Sequence, residues 1–191
     1  LSYNAIIIRD FIVIMILKYN SILTKIKLFY LILLGRIKKQ NNKIKISNRK
    51  PTDVKNILII FPIKDEDFRV ALYSFRNLST HNNINYYFLI NCIHRQHFHL
   101  RGYVFDVLQN IKNNKIKIDE TFYNDRILNK EYDFIIDLNK DFNFDISLLI
   151  NKLNSTYKVG IKNNYSDYFY NIQLKADILE DSYNKIHLML I

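Results

Sequence analysis

The chain beyond residue 50 alternates short apolar runs with segments of helical spacing. Residues 56–61 (NILIIF) are almost wholly apolar, and residues 133–138 (DFIIDL) carry only two aspartates among apolar positions. Runs of this length predict strands that are buried on both faces, as in a parallel sheet. Other runs predict further strands at 84–91, 103–108, 115–118 and 157–161.

Helices are predicted between these strands. Two apolar stripes have helical spacing, the first formed by Phe68, Leu72, Phe75 and Leu78 and the second by Ile146, Leu149, Ile150 and Leu153. Helical structure is also predicted for 120–130, 165–172 and 177–190, and a short helix or loop for 94–100. Strands that alternate with helices form βαβ units, which build a parallel sheet with right-handed crossovers.

The predicted fold class for residues 51–191 is therefore α/β, a Rossmann-like parallel sheet flanked by helices. The domain lacks the glycine patterns that bind phosphates in this architecture. Neither G-x-G-x-x-G nor G-x-x-x-x-G-K-[ST] occurs in the chain, so no bound nucleotide cofactor is predicted.

Residues 1–50 are predicted to form a domain of their own with one amphipathic helix. Apolar residues recur there at spacings of 3 and 4, namely Met15, Tyr19, Ile22, Ile26, Phe29, Leu33 and Ile37. Lys18, Lys25 and Lys27 fall on the other side, and a basic tail begins at Arg36. The spacing predicts a helix with an apolar stripe and a basic polar face.

The net charge of +10 lies wholly in this part of the chain. Up to Lys55 there are 12 Lys and Arg against two acids, whereas 16 residues of each sign follow. The longest charge-free apolar runs, Phe11–Leu17 and Leu28–Leu34, are far shorter than the roughly 20 residues that span a bilayer. A basic amphipathic helix beside a neutral domain indicates attachment to an anionic membrane surface. We therefore expect a cytoplasmic protein, peripheral to the inner face of the membrane.

Two other interpretations of residues 1–50 stay open. The helix could pack on the core of the α/β domain, with its basic face simply in solvent. Basic charge would also serve a nucleic-acid partner, but no nucleic-acid-binding motif accompanies it. Nucleic acid is accordingly not the expected partner.

Three consecutive acids, Asp65, Glu66 and Asp67, follow the first predicted strand and open the next helix. Ligands of open α/β sheets bind at the carboxyl ends of strands, and a carboxylate there can act as a general base. Acids in a first helical turn also stabilise the helix by themselves, through its free N–H groups and its dipole. Asp137 and Asn139 are predicted at the same edge of the sheet.

Cys92, His94, His97 and His99 form a cluster with the chemistry of metal ligands. Thiolate and imidazole suit zinc, but the spacing matches no standard site and no second pair of ligands completes one. We expect a polar loop and no metal here. Cys92 is the only cysteine of the chain, and its place after an apolar strand predicts a buried thiol.

Three motifs, in chain order, resemble the heptosyltransferase-like glycosyltransferases of family 9. They are residues 55–60 (KNILII) with the acidic turn and helix that follow, residues 132–139 (YDFIIDLN) and residues 157–161 (YKVGI). The family shows an ILII strand, a turn that ends in Gly-Asp, a YDxxIDLQ strand and an RIG strand. The resemblance covers residues 55–175 and implies a single Rossmann-like half of a GT-B transferase, the N-terminal one.

The resemblance also implies roles for particular residues. Asp67 stands where the family has the aspartate of its Gly-Asp pair, which is thought to activate the acceptor hydroxyl as a base. Asp65 and Asn139, at the same edge, then become candidates for acceptor binding. The implied activity is hexosyl or heptosyl transfer from a nucleotide-sugar donor to a glycolipid or lipopolysaccharide acceptor of the cell envelope.

Departures from the family pattern favour an alternative. Glu66 replaces the glycine, and bulky Pro62 and Ile63 occupy a turn of small residues. The family's second Rossmann domain, which binds the nucleotide-sugar, has no counterpart in the sequence. The chain is then either a piece of a longer transferase or a stand-alone relative. A non-catalytic interaction module that has lost transferase activity is the competing interpretation.

Overall fold

A computed structural model describes residues 22–40, 54–78, 84–110, 115–117, 124–175 and 177–190. The chain divides into two compact units, Leu1–Lys38 and Lys39–Ile191. The second unit carries a β-sheet with helices, and the described part of the first carries one helix. The boundary predicted between residues 50 and 51 stays a prediction.

A seven-stranded sheet runs through the described residues of the second unit. Its strands are β1 (Asn56–Ile60), β2 (Asn85–Asn91), β3 (Tyr103–Asn110), β4 (Lys115–Lys117), β5 (Glu131–Asp137), β6 (Asn154–Ile161) and β7 (Ile172–Leu174). Their spatial order is β4-β3-β2-β1-β5-β6-β7. Every neighbouring pair is parallel except β3 and β4. The predicted Rossmann-like fold class is therefore confirmed.

Four α-helices are described. They are α1 (residues 22–33), α2 (Asp65–Ser74), α3 (Phe144–Lys152) and α4 (Leu179–Leu188). Asn143 is the N-cap of helix α3. Its side-chain oxygen accepts hydrogen bonds from the backbone N–H groups of Asp145 and Ile146 at 3.1 Å. Helix α2 has no side-chain cap and instead carries three acids in its first turn, where negative charge complements the helix dipole.

The apolar runs of the sequence are explained by burial on both faces of the sheet. One face packs against α2 and α4 in a core that includes Phe61, Phe68, Phe75, Phe88, Tyr183 and Ile186. Side chains of the other face, such as Leu58 and Ile135, are equally buried. The buried apolar residues of α3 do not belong to the core formed with α2 and α4. Neither face meets water, so β1 and β5 need no polar alternation.

Several local predictions were wrong in detail. Residues 165–172 are not one helix, because a short 3₁₀ helix (Ser166–Tyr168) is followed by strand β7. The strand at 115–117 is antiparallel to β3, so the sheet is not parallel throughout. By contrast, the short helix predicted as one alternative for 94–100 is found, as a 3₁₀ helix (Cys92–His97). Within the predicted helix at 120–130, the described residues form a π-helical turn (Asn124–Leu128).

Helix α1 covers the described part of the predicted amphipathic helix. The predicted residues 15–21 and the tail beyond residue 40 lie outside the described residues. The predicted apolar stripe is exposed at Ile22, Ile26, Phe29 and Leu33, each more than half accessible, whereas Ile37 at its end is buried. No helix in the described ranges is both long enough and apolar enough to cross a membrane.

Candidate functional site

The candidate site lies at the carboxyl edge of the sheet, between β1 and β5. These strands are neighbours, yet the chain leaves β1 toward β2 on one side and leaves β5 toward β6 on the other. Helix α2 follows β1 on one face, and α3 follows β5 on the opposite face. Such a switch point opens a crevice where α/β proteins bind ligands.

A buried hydrogen-bond network joins the two strand ends at this point. The backbone N–H and the side-chain Nδ2 of Asn139 donate to Oδ1 of Asp137, at 3.0 and 2.7 Å. The Oδ1 of Asn139 accepts the backbone N–H of Ile63, in the β1–α2 loop, at 3.0 Å. The Asn139 amide therefore holds the loop that leads to the acidic turn.

Tyr170 completes the network from the far side. Its hydroxyl donates to Oδ2 of Asp137 at 2.6 Å, and both side chains are buried. The ring lies against Gly160 of β6, where an added Cβ would come within 2.6 Å of ring atoms. Glycine at this position therefore leaves the space that the phenol needs to reach the carboxylate.

Burial dominates the electrostatics of this pair. Desolvation raises the pKa of Asp137, and the hydrogen bonds from Tyr170 and Asn139 partly oppose the rise. Burial, and then the charge of Asp137, raise the pKa of Tyr170 well above its usual range. The phenol thus stays protonated and serves as a donor to the carboxylate.

Two further contacts brace the same edge. Lys64, before α2, forms an exposed ion pair with Asp141, after β5. The hydrogen bond within this ion pair, and then the negative charge of Asp141, raise the pKa of Lys64. The hydroxyl of Tyr183, on α4, donates to the backbone carbonyl of Leu138 at 2.7 Å. The two loops are therefore tied by polar contacts on both the exposed and the buried side.

The predicted acids occupy the rim of this braced edge. The Asp65 carboxylate is about half exposed and pairs with Arg69 one turn along at 2.7 Å. Asp67 is partly buried, and its charge contributes to raising the pKa of both Lys64 and Tyr183. The Asp67 carboxylate therefore lies near both of those groups.

The Cys/His cluster does not gather into one site. His94 is buried, whereas His97 and His99 are exposed and Cys92 is partly exposed. Cys92 is thus less buried than the sequence predicted. The described residues contain no group of three or more His, Cys, Asp or Glu side chains suited to hold a metal ion.

The sequence and the structure agree on the edge but differ on which side chains define it. Asp65, Asp67 and Asn139 all lie there, as predicted. Tyr170 was placed only in a predicted helix, and Tyr183 was not singled out, because nothing local in the sequence shows that each would reach the end of β5. The apolar DFIIDL run was the available signal, since a buried strand that ends in an acid requires donors.

A second concavity, of about 450 Å³, lies at the opposite edge, near the amino ends of β1, β5 and β6. Asp133 in its lining accepts the backbone N–H groups of Lys55 and Asn56, at 2.8 and 3.0 Å. That carboxylate is engaged in holding the start of β1. The switch point therefore remains the better candidate site.

No protein-family profile and no curated protein matches the chain. Among solved structures, a glycosyl transferase family 9 protein from Veillonella parvula matches with a TM-score of 0.55 and 17% identity, over 75% of this chain and 43% of that one. The E. coli heptosyltransferase WaaC, solved with ADP, matches with a TM-score of 0.48 and 13% identity, over 71% and 47%.

The chain spans less than half the length of either structure. The likeness to the Veillonella protein is one of fold, and it confirms the resemblance that the sequence motifs suggested. The chain contains a glycosyltransferase-like α/β domain. Partial coverage of the longer chain is consistent with the predicted match to its N-terminal half.

Proposed function

We propose that this protein carries a glycosyltransferase-like acceptor domain and acts in sugar transfer to a cell-envelope glycolipid or lipopolysaccharide at the membrane surface. The observation that carries the proposal is the position of Asp67. Its carboxylate lies in the first turn of α2, which follows the central strand β1 at the switch point of a glycosyltransferase-like fold. A base that serves a bound acceptor would stand at such a place.

In the proposed reaction, Asp67 accepts the proton of an acceptor hydroxyl. The hydroxyl oxygen then forms a bond to the anomeric carbon of a nucleotide-sugar, and the bond from that carbon to the nucleotide breaks, releasing the nucleoside diphosphate. Asp65, half exposed beside it, would accept a hydrogen bond from another hydroxyl of the acceptor. Asn139 would contribute through the loop that its amide holds.

The test is sugar transfer by the full chain. The protein is incubated with radiolabelled UDP-glucose or ADP-heptose and lipopolysaccharide, and label in the lipid fraction is counted. We expect Asp67→Asn to lower transfer by about 10²- to 10⁴-fold, the usual contribution of a general base. Asp181→Asn is the matched control, because Asp181 is also an acid in a first helical turn. Unchanged transfer by Asp67→Asn would eliminate the proposed base.

A non-catalytic interaction module is the second candidate. This candidate is favoured because polar side chains at the carboxyl edge of the sheet already bind to partners within the fold. They are Asp137, Asn139 and Lys64. The same incubation separates the two candidates when glycolipid binding is measured alongside transfer. Binding without transfer for any labelled donor supports the module, and transfer that depends on Asp67 supports the enzyme.

We further propose that α1 attaches the protein to an anionic membrane. The exposed stripe of Ile22, Ile26, Phe29 and Leu33 supports this, because an apolar helical face of this kind suits the boundary between head groups and acyl chains. Lys25 and Lys27 are exposed on the same helix, where each would gain about 1 kcal/mol near anionic lipids.

Vesicle sedimentation with the full chain tests the attachment. We expect binding to phosphatidylglycerol vesicles to exceed binding to phosphatidylcholine vesicles. Phe29→Asp should lower the partition by about 30-fold, since a buried aromatic ring contributes ~2 kcal/mol and every ~1.4 kcal/mol is tenfold. Tyr73→Asp alters an aromatic of similar exposure on α2 and should have little effect. Equal loss in both variants, or no preference for the anionic lipid, would refute the attachment.

A further inference from the structure

His94 is a buried imidazole at the candidate site that the proposed reaction leaves without a role. It lies in the 3₁₀ helix after β2 and is only 3% exposed. Its ring stacks on Phe68 of α2, with centroids 4.1 Å apart and planes 14° from parallel. Its Nδ1 lies 3.6 Å from Oδ1 of Asp65. His94 therefore connects the end of β2 to the acidic turn.

The two ring nitrogens have different surroundings. Nδ1 faces a carboxylate, whereas Nε2 is buried and has no hydrogen-bond partner among the described residues. A neutral imidazole has one N–H donor and one acceptor. The carboxylate favours the proton on Nδ1, which leaves Nε2 as a buried acceptor without a partner.

That arrangement lowers stability. An unsatisfied buried polar group is unfavourable, and phenylalanine would stack on Phe68 without carrying one. Histidine at this position is thus not explained by packing. Its distinguishing property is the N–H that faces Asp65.

Other charges near His94 are already paired. Arg69 holds the Asp65 carboxylate from the α2 side at 2.7 Å. Arg95, the neighbour of His94, lies 3.7 Å from Asp106 of β3. The Asp65 carboxylate therefore lies between Arg69 and the imidazole, with one oxygen facing each of them. The 3.6 Å separation is longer than a hydrogen bond, so orientation of the carboxylate requires the imidazole and Asp65 to approach each other when an acceptor binds.

We propose that His94 is a positioning residue, whose Nδ1–H orients the Asp65 carboxylate to accept a hydrogen bond from a hydroxyl of the sugar acceptor. This inference rests on the proposed function of the acidic turn. The acceptor would then carry several hydroxyl groups, one of which contacts Asp65 while another contacts Asp67.

The first experiment reads the tautomer directly and needs no activity. In ¹⁵N-histidine-labelled full chain, long-range ¹H–¹⁵N spectra identify which nitrogen of His94 is protonated. We expect the Nδ1–H tautomer in the wild type and loss of that preference in Asp65→Asn. His97→Asn, at an exposed neighbour, should leave the His94 signals in place. An Nε2–H tautomer in the wild type would overturn the proposal.

The second experiment separates positioning from packing. His94→Phe should raise the melting temperature, because the orphan acceptor is gone, and should raise the acceptor KM about tenfold, as expected for loss of one oriented hydrogen bond. His94→Asn keeps a donor near the Nδ1 position and should restore most of the affinity. An unchanged KM in His94→Phe, or no recovery in His94→Asn, contradicts positioning. If the wild type transfers no sugar, the proposed function fails. The tautomer of His94 in the first experiment then still shows whether its Nδ1–H faces Asp65.

Discussion

The hydroxyl of Tyr170 donates a 2.6 Å hydrogen bond to Oδ2 of Asp137, and both groups are withdrawn from water at the end of β5. The other oxygen of the same carboxylate accepts two hydrogen bonds from Asn139. The buried carboxylate is therefore fully provided with donors. It joins the end of β5 to the segment before β7, which the chain reaches only 33 residues later.

Removing the phenol should expose the dependence of the fold on this bond. In Tyr170→Phe one oxygen of a buried carboxylate loses its donor, which costs about 1.5–3 kcal/mol for a bond to a charged group. Urea unfolding of the full chain measures the loss. Tyr73→Phe changes a tyrosine that is 57% exposed and should leave the midpoint unchanged. A similar midpoint in Tyr170→Phe and the wild type would contradict the assigned bond.

The pKa of Asp137 predicts a pH dependence of stability. Its pKa is raised by burial above the ordinary value of 3.8, so the folded protein holds this proton more tightly than the unfolded chain does. The contribution to stability is full below that ordinary value and is lost as the pH rises through the folded pKa. Asp137→Asn removes the ionisation and should flatten the fall between acid and neutral pH.

Unfolding of the wild type and of Asp137→Asn, measured at several pH values, tests this dependence. Asp181→Asn removes an exposed acid and serves as the control for the change in overall charge. The assignment to Asp137 is contradicted when the two profiles stay parallel across the acid range.

The loop contact of Asn139 gives a separate prediction. Asn139→Ala removes the acceptor for the Ile63 N–H and the side-chain donor to Asp137, whereas the backbone N–H donor of residue 139 remains. We expect a loss of stability of about 1–3 kcal/mol, since buried partners are left unpaired. Hydrogen exchange should speed up at the Ile63 amide. Protection equal to that in the wild type would show that the side chain does not hold the loop.

Replacement of Lys158 is expected to raise the stability of the protein, whereas replacement of Tyr170 or Asn139 lowers it. This lysine of β6 is only 8% exposed, and burial lowers its pKa, so the charged form weakens the fold at neutral pH. The penalty shrinks as the pH rises toward the ordinary value of 10.5. Lys158→Met should stabilise the protein by about 1 kcal/mol, as replacement of a buried charge by a packed apolar group often does.

Thermal unfolding at neutral pH measures this gain, and the exposed Lys162 of the same region offers the control variant Lys162→Met. Equal effects of the two substitutions would mean that burial of Lys158 does not govern its contribution.

The candidate site was predictable in part. Asp65 and Asp67 were found because acids that follow a buried strand must lie at the carboxyl edge of a parallel sheet. Tyr170 was missed because its role depends on Gly160, which makes room for its ring, and on Asp137, which accepts its hydrogen bond. His94 was predicted to belong to a polar loop, because its stacking on Phe68 joins segments that are distant in sequence.

The sequence by itself determined the fold class, because continuous apolar runs can be stabilised only where both faces of a strand are buried. It also determined where charge concentrates, since composition is independent of folding. Strand β7, the antiparallel β4 and the network around Asp137 were decided by the tertiary structure alone. Short strands gain their hydrogen bonds from neighbours across the sheet, and a buried carboxylate is stable only where packing brings donors from remote parts of the chain.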